Sequence, residues 1–320
     1  MPWDTPISNE LEQVEARIRS SLNCGESLLT DICFHVIGAG GKRIRPGVAL
    51  LSYKAVGGMK DQKIINLAAS FELIHSATLI HDDINDLGEI RRGREAAYKK
   101  FGVQKALIAG DFLFVRSFRL GGTWDDRVVQ MVADAATAIA ESEILQSSHE
   151  FDPSVSQQVC EKIIEGKTAK IIEAAAMVGS YLGKGSEDQV QMLGAYGLNL
   201  GMAFQIVDDI LDIDGNESQL GKSKGVDFID GKPTLPLIFA MRDSQLGERL
   251  SELFVKKKKK TKREVEEALR MVKKTDAIAR SYEAAEGFKS KALKNLEGLP
   301  DSIFKESLTH LAGMVVDRRK

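Results

Sequence analysis

Two aspartate clusters of identical spacing stand out, Asp82-Asp83-Ile84-Asn85-Asp86 and Asp208-Asp209-Ile210-Leu211-Asp212. Both read D-D-x-x-D. Each follows an apolar stretch, Ala77-Thr78-Leu79-Ile80 before the first and Ala203-Phe204-Gln205-Ile206-Val207 before the second. On a helix, residues four apart share a face, so the spacing pairs Asp82 with Asp86 and Asp208 with Asp212. Carboxylates this dense are costly unless solvated or bound to a cation. Two such pairs facing one another would make a site for Mg2+ bridging to phosphate, since Mg2+ takes few protein carboxylates and completes its shell with phosphate oxygens. One cluster alone reads as a solvated helix face. The repeat, and the bases that follow each copy (Arg91-Arg92-Gly93 and Gly221-Lys222), point instead to diphosphate chemistry.

Other bases stand where a phosphate would need them. In Gly40-Gly41-Lys42-Arg43-Ile44-Arg45-Pro46, paired glycines break the preceding helix and admit a close approach of backbone to ligand. Lys42 and Arg45, three apart, would share a face on a following helical turn, with Arg offering planar bidentate contact and Lys a compact charge. His75 lies seven residues before Asp82, two turns back on the same side, either as a satisfied core histidine or as a phosphate contact. His81 reads equally well as a packing residue. Lys167-Thr168 follows a helix-weakening Gly166, but the Walker spacing is absent, which disfavours ATP. Gly221–Asp227 and Gly231-Lys232-Pro233-Thr234 read as a loop able to close over a ligand, with helix resuming after Pro233.

The elements that must position these residues are helices. The chain has 320 residues and only 7 prolines, none between Pro46 and Pro153 or between Pro153 and Pro233. Apolar residues recur at helical spacing in Ile64–Ile80, Val128–Leu145 and Val159–Val178. No linker-like composition divides the chain, so a single domain over residues 1–320 is expected. A formal net charge of −2 gives no reason to expect nucleic acid. Cys24, Cys33 and Cys160 match no metal-ligand spacing and read as reduced thiols. The N-terminus lacks the pattern of a signal peptide, and no apolar run approaches the ~18 residues of a membrane span. A soluble, cytoplasmic protein is expected. The basic run Lys256–Lys260, continued by Lys262 and Arg263, reads as a solvated loop, with at most peripheral contact with an anionic membrane as the sharper reading.

Taken together these motifs resemble the trans-isoprenyl diphosphate synthases, the polyprenyl synthetase family. The resemblance rests on G-G-K-R-x-R-P at 40–46, D-D-x-x-D with R-R-G at 82–93, G-K-T at 166–168, F-Q-x-x-D-D-x-x-D at 204–212 and G-K-x-x-G-x-D at 221–227. It implies an all-α, isoprenoid synthase-like fold of antiparallel helices around a deep central cavity, usually a homodimer. It also implies head-to-tail condensation of isopentenyl diphosphate with an allylic diphosphate. By matching position, Asp82, Asp86 and Asp208 would bind Mg2+, about three ions per site, with Asp83 and Asp209 completing the acidic machinery. Arg91, Lys167, Thr168 and Lys222 would contact the allylic diphosphate, with Lys232 at the site's edge. Lys42, Arg45, His75 and Arg92 would hold isopentenyl diphosphate, and Gln205 would orient groups near the second cluster. The sequence departs from the common pattern at Leu87-Gly88-Glu89, where an acid often follows the first cluster directly.

Product length depends on the depth of an apolar tunnel beneath Asp82. Ala77 and Thr78 lie about 6–8 Å back along the helix and Phe71 about 16 Å. In similar enzymes a bulky aromatic at the Ala77 or Thr78 position commonly stops growth; both are small here. Burial of each added isoprene unit is favourable at ~0.8 kcal/mol per CH2-sized group, so a steric wall must set the end, and a product of more than about twenty carbons, with about twenty-five to forty favoured, is expected. Phe71 is one candidate floor, and Phe112, Phe114 or Met131 are others. Geranylgeranyl diphosphate synthase is the near alternative, differing only in where the tunnel ends. A terpene cyclase needs no second diphosphate site, against which Lys42, Arg45 and Arg92 count. A non-catalytic subunit usually lacks one of the clusters.

Overall fold

The computed structural model describes residues 2–59, 61–121, 124–215, 224–257 and 260–317. Helix dominates, as the proline spacing and apolar periodicity require. Among the described residues the only sheet is a hairpin of two-residue strands, β1 (Ile90–Arg91) and β2 (Arg94–Glu95), with Ile90 opposite Glu95 and Arg91 opposite Arg94. Its turn residues, Arg92 and Gly93, have φ of 50° and 74°. Two successive positive φ values are what a two-residue hairpin demands, at some cost for the arginine.

The chain groups into two compact units, each assembled from separate stretches. The first comprises Met1–Met131, Ala174–Gly194 and Gly298–His310, and the second Val132–Glu173, Ala195–Glu297 and Leu311–Lys320.

The first unit is organised around α4 (Gln62–Asn85), the fourth helix after α1 (Ser8–Ser21), α2 (Ser27–Ile37) and α3 (Ile44–Ala55). Asp61 caps α4 by accepting the amide of Lys63. The helix has no glycine or proline and is apolar on nearly every face, so it can only be stable inside a core. It packs on α1, on α3 and most extensively on α6 (Val103–Gly121), which follows the short α5 (Ala97–Phe101). By length and composition α4 alone among the described residues could cross a membrane, but 72% of its apolar window is buried inside the protein. It ends at Leu87, whose φ of 53° takes the left-handed step that closes a helix.

The second unit contains the latter part of α7 (Asp126–Ser148), α8 (Gln157–Ile164), the start of α9 (Lys170–Leu182) and the C-terminal half of α10 (Glu187–Asp214). Between α8 and α9 the helix widens into a π-turn over Glu165–Ala169. Beyond α10 the described residues form α11 (Val226–Asp230), α12 (Leu235–Met241), α13 (Gly247–Phe254), α14 (Lys262–Lys274), α15 (Ala277–Leu296) and α16 (Ile303–Val316). Ile206, Val207, Ile210 and Ile213 of α10 join Phe228, Leu235 and Phe254 in one buried cluster. The apolar positions of D-D-I-L-D therefore anchor that segment in the core.

Candidate active site

In the first unit, the D-D-x-x-D sequence forms the last turn of α4, with the amide of Asp86 donating to the carbonyl of Asp82 at 2.8 Å. Asp82 and Asp86 keep partial exposure, whereas Asp83 is 5% exposed. The Asp83 carboxylate accepts Nε (2.8 Å) and Nη2 (2.5 Å) of Arg91 on β1. Both bonds converge on Oδ1, and this charge-assisted pair fixes the hairpin against the end of α4. His81 does pack: its ring lies on α6, where a Cβ added to Gly110 would come within 2.2 Å of Nε2.

The Gly40–Arg45 segment differs from its sequence reading. The helix begins only at Ile44, and Arg43 before it is left-handed with φ 49°. Lys42 therefore sits exposed in the preceding loop and does not share a helical turn with the half-buried Arg45. The close approach permitted by Gly41 is to the protein's own side chains. A Cβ there would lie 2.9 Å from Nη1 of Arg92 and 3.3 Å from Nη1 of Arg43. Arg92 donates to the carbonyl of Gly40. Arg43, which the sequence reading passed over, is clamped between Glu15 of α1 and Glu72 of α4. Its signal was available: a third base in the motif, matched by a glutamate within the apolar run of α4.

His75 lies on α4 beneath the acids. Burial, followed by the charges of Arg45, Arg92, Arg91 and Arg43, pushes its pKa well below the ordinary histidine value of 6.5, so it is neutral. Because the folded value is depressed, the unfolded chain takes up this proton first as pH falls. Stability contributed by neutral His75 is complete above about pH 6.5 and declines below it. We expect the melting temperature of the unliganded protein to drop more between about pH 7.5 and pH 5.5 than that of His75→Gln. Parallel pH dependences in the two proteins would contradict this.

In the second unit, the second cluster forms the C-terminal turn of α10, but its acids have different fates. Asp208 is exposed, Asp209 is 5% exposed and Asp212 is 1% exposed. Spacing alone pairs Asp208 with Asp212, yet the Asp212 carboxylate turns to the start of α11, accepting the amides of Val226 (3.3 Å) and Asp227 (3.2 Å). Burial raises the pKa of Asp209 well above the carboxylate range, Asp227 adds to this, and a hydrogen bond from Gln205 opposes it. Gln205 donates to Asp209 at 2.8 Å and accepts the Thr168 hydroxyl at 2.8 Å, a chain from the π-turn to the acids. It is allowed by glycines: a Cβ on Gly201 would meet Ala169 at 2.5 Å, and one on Gly166 would meet the carbonyl of Ala138 at 2.7 Å. Lys167 contacts Glu143 (2.7 Å) and Gln146 (2.9 Å) of α7. Thr168 and Lys232 are buried, and the Lys232 ammonium lies 3.7 Å from Asp230. Gly221, Lys222 and Ser223 lie outside the described residues.

A family model described as polyprenyl synthetase matches residues 26–272. The chain belongs to the polyprenyl synthetase family. Within that family it is 34% identical to an octaprenyl diphosphate synthase of Haemophilus influenzae, over 97% of this chain and 94% of that one. It is 32% identical to a geranylgeranyl diphosphate synthase of Saccharolobus solfataricus, over 98% and 97%. The structure superposes with a TM-score of 0.95 on a polyprenyl synthase from Caulobacter crescentus complexed with calcium and isoprenyl diphosphate, at 33% identity and covering 99% of this chain and 97% of that one.

The family is Mg-dependent, and the donors here suit such an ion. Asp82, Asp86 and Asp208 offer only carboxylate oxygens, the hard ligands that Mg2+ prefers. No cage of three or more His, Cys, Asp or Glu side chains is gathered among the described residues. Both clusters also close the last turn of a long helix, 24 residues for α4 and 28 for α10, and neither turn contains a base of its own helix. A helix C-terminus carries partial negative charge, which adds to the pull of these acids on a cation.

Proposed function

We propose that this polyprenyl synthetase condenses isopentenyl diphosphate head-to-tail with allylic diphosphates, giving an all-trans polyprenyl diphosphate longer than about twenty carbons, where a steric wall rather than affinity ends growth. The observation that carries the reading is the repeated placement of a D-D-x-x-D sequence at the negative end of a long helix, each with bases of the same unit nearby. Asp82, Asp86 and Asp208 would hold Mg2+, about three ions per site, which when bound neutralises charge developing on the leaving diphosphate.

The chain's own residues do the rest. Arg91, Lys167 and Lys222 bind the allylic diphosphate as cations. Thr168 and Gln205 hold Asp209 in place through the hydrogen bonds described above. Lys42, Arg45, Arg92 and neutral His75 bind isopentenyl diphosphate, whose charge relieves the crowding of arginines around the imidazole. As the allylic C–O bond breaks, the double bond of isopentenyl diphosphate attacks the allylic carbon. The proton lost in forming the new double bond goes to the released diphosphate. No side-chain nucleophile is required. Water must be kept from the cation, a task for apolar residues behind Asp82.

The α4 surface favours the longer product. Residual exposure follows a stripe of His75, Thr78, Leu79, Asp82 and Asp86, at the spacing of one helix face, and disappears at Phe71. No large aromatic interrupts the stripe above Phe71. A homodimer is part of the same proposal. α6 buries Ala106, Ala109, Leu113 and Leu120 but exposes Val103, Leu107, Ile108, Val115 and Phe118, an apolar face that a second copy would cover. A single catalytic domain working in the cytoplasm completes the reading.

The deciding experiment supplies isopentenyl diphosphate with dimethylallyl, geranyl or farnesyl diphosphate and Mg2+, then determines product mass and, by light scattering, the mass of the protein. A magnesium-dependent product longer than geranylgeranyl diphosphate is expected. A product stopping at twenty carbons would favour the geranylgeranyl alternative, and cyclised hydrocarbon without consumption of isopentenyl diphosphate would overturn the reading.

A further inference from the structure

The basic run after α13 is not uniformly solvated. Lys256 is exposed and pairs with Glu264 at 2.6 Å, but Lys260 is 6% exposed. Its ammonium donates to the carbonyls of Ile229 and Lys256, both at 3.1 Å. It also lies 4.7 Å from the centre of the Phe151 ring and 5.0 Å from that of Phe228. Burying an ammonium is expensive, and only several directed contacts make it tolerable. Ile229 belongs to the last turn of α11, where carbonyls lack helical partners and a cation is favoured.

The opposite end of α11 is held by Asp212, through the amides of Val226 and Asp227. Just past α11, Gly231 accepts from the amide of Phe151 at 2.8 Å, and the amide of Lys232 donates to the carbonyl of Asp227 at 2.8 Å. A short helix of five residues has little stability of its own. Its position is therefore set by these clasps, and it carries Asp227, which acts on Asp209, and leads directly into Lys232.

We propose that Lys260 is a positioning residue for prenyl transfer, clamping the C-terminal end of α11 as Asp212 clamps its N-terminal end, so that Asp227 and Lys232 are set for the allylic diphosphate. This rests on the proposed function above. Its effect is expected on one substrate: none of the contacts of Lys260 given above is made with a base assigned to isopentenyl diphosphate.

A second observation makes the clamp testable by pH. Burial lowers the Lys260 pKa to about 8; Asp230 and Glu264 oppose the shift and Lys256 adds to it. Raising pH through about 8 removes the charge that grips the carbonyls and rings. The same loss relieves the cost of burying that charge, since the folded value lies below the unfolded one, so the fold itself gains stability between about pH 8 and pH 10. Loss of clamping at high pH is thus not loss of folding.

The test compares full-length wild type, Lys260→Met and Lys260→Arg in Mg2+, varying each diphosphate separately at about pH 7 and pH 9. Lys260→Met is expected to raise KM for the allylic diphosphate about tenfold and to leave KM for isopentenyl diphosphate within about twofold. Lys260→Arg, which keeps charge and ring contact, should remain within about threefold of wild type and show no additional rise at pH 9, whereas wild type should show one. Equal changes in both KM values, or none, would overturn the proposal. If Lys260→Met fails to fold by circular dichroism, the arginine variant decides, because an alkaline rise matching wild type would equally overturn it. Failure of wild type to consume isopentenyl diphosphate at any pH would instead sink the proposed function itself.

Discussion

Asp208→Ala is expected to lower kcat by about a thousandfold or more while leaving the melting temperature close to wild type. Asp212→Ala should do something different, although both residues belong to the same D-D-x-x-D sequence. Asp208 is exposed near the end of α10, so its removal takes away the proposed metal ligand without emptying a buried position. Losing negative charge at a helix C-terminus is mildly favourable to the fold. Asp212 is buried and holds two amides of α11. Its truncation leaves those donors unsatisfied, at a cost of roughly 1–3 kcal/mol. Activity should fall with it, because α11 then drifts from Asp209. The measurement pairs steady-state rates over a Mg2+ titration with thermal unfolding. Extra Mg2+ should partly restore Asp208→Ala and leave Asp212→Ala unchanged. Two variants with matched stability losses would show that Asp208 is structural after all.

The second large effect is on product length. Thr78→Phe is expected to shorten the product to about twenty carbons or fewer with near-normal consumption of isopentenyl diphosphate, because a ring there stands about 6 Å below Asp82 on the accessible stripe of α4. Ala77→Phe should be the poorer stop. Ala77 is 1% exposed and off that stripe, so a phenyl group must push into packed core at a cost of about 1–3 kcal/mol. Phe71→Ala tests the floor: if this fully buried ring ends the tunnel, its removal lengthens the product, and if it is ordinary core, the variant loses about 3–5 kcal/mol with length unchanged. Product masses from the three variants, with their melting temperatures, check all of this. Wild-type length in Thr78→Phe would place the wall on another helix.

How far the sequence reaches is clear from particular residues. Apolar periodicity and sparse proline dictate helices because both act within a turn or two of chain, and the observed helices follow. The acid spacing was equally legible, since D-D-x-x-D within a helix must put its first and last acids near one face. What became of each acid was not. Asp83 turns to Arg91 and Asp212 to the amides of Val226 and Asp227, and these partners come from loops whose path depends on the whole fold.

Lys42 and Arg45 show the same limit from the other side. The reading assumed that helix begins at the glycines, whereas the left-handed Arg43, held by Glu15 and Glu72, delays it to Ile44. In the basic run, composition suggested a solvated loop for every lysine, yet Lys260 is drawn in by Phe151, Phe228 and a carbonyl of α11. Chain-local chemistry thus determined the helices, the doubled acidic motif and the diphosphate-binding character. Tertiary structure alone decided which acids stay open to a cation and which bases serve the fold, because burial and hydrogen-bond partners are supplied by residues distant in sequence, and a buried charge can persist only where they meet it.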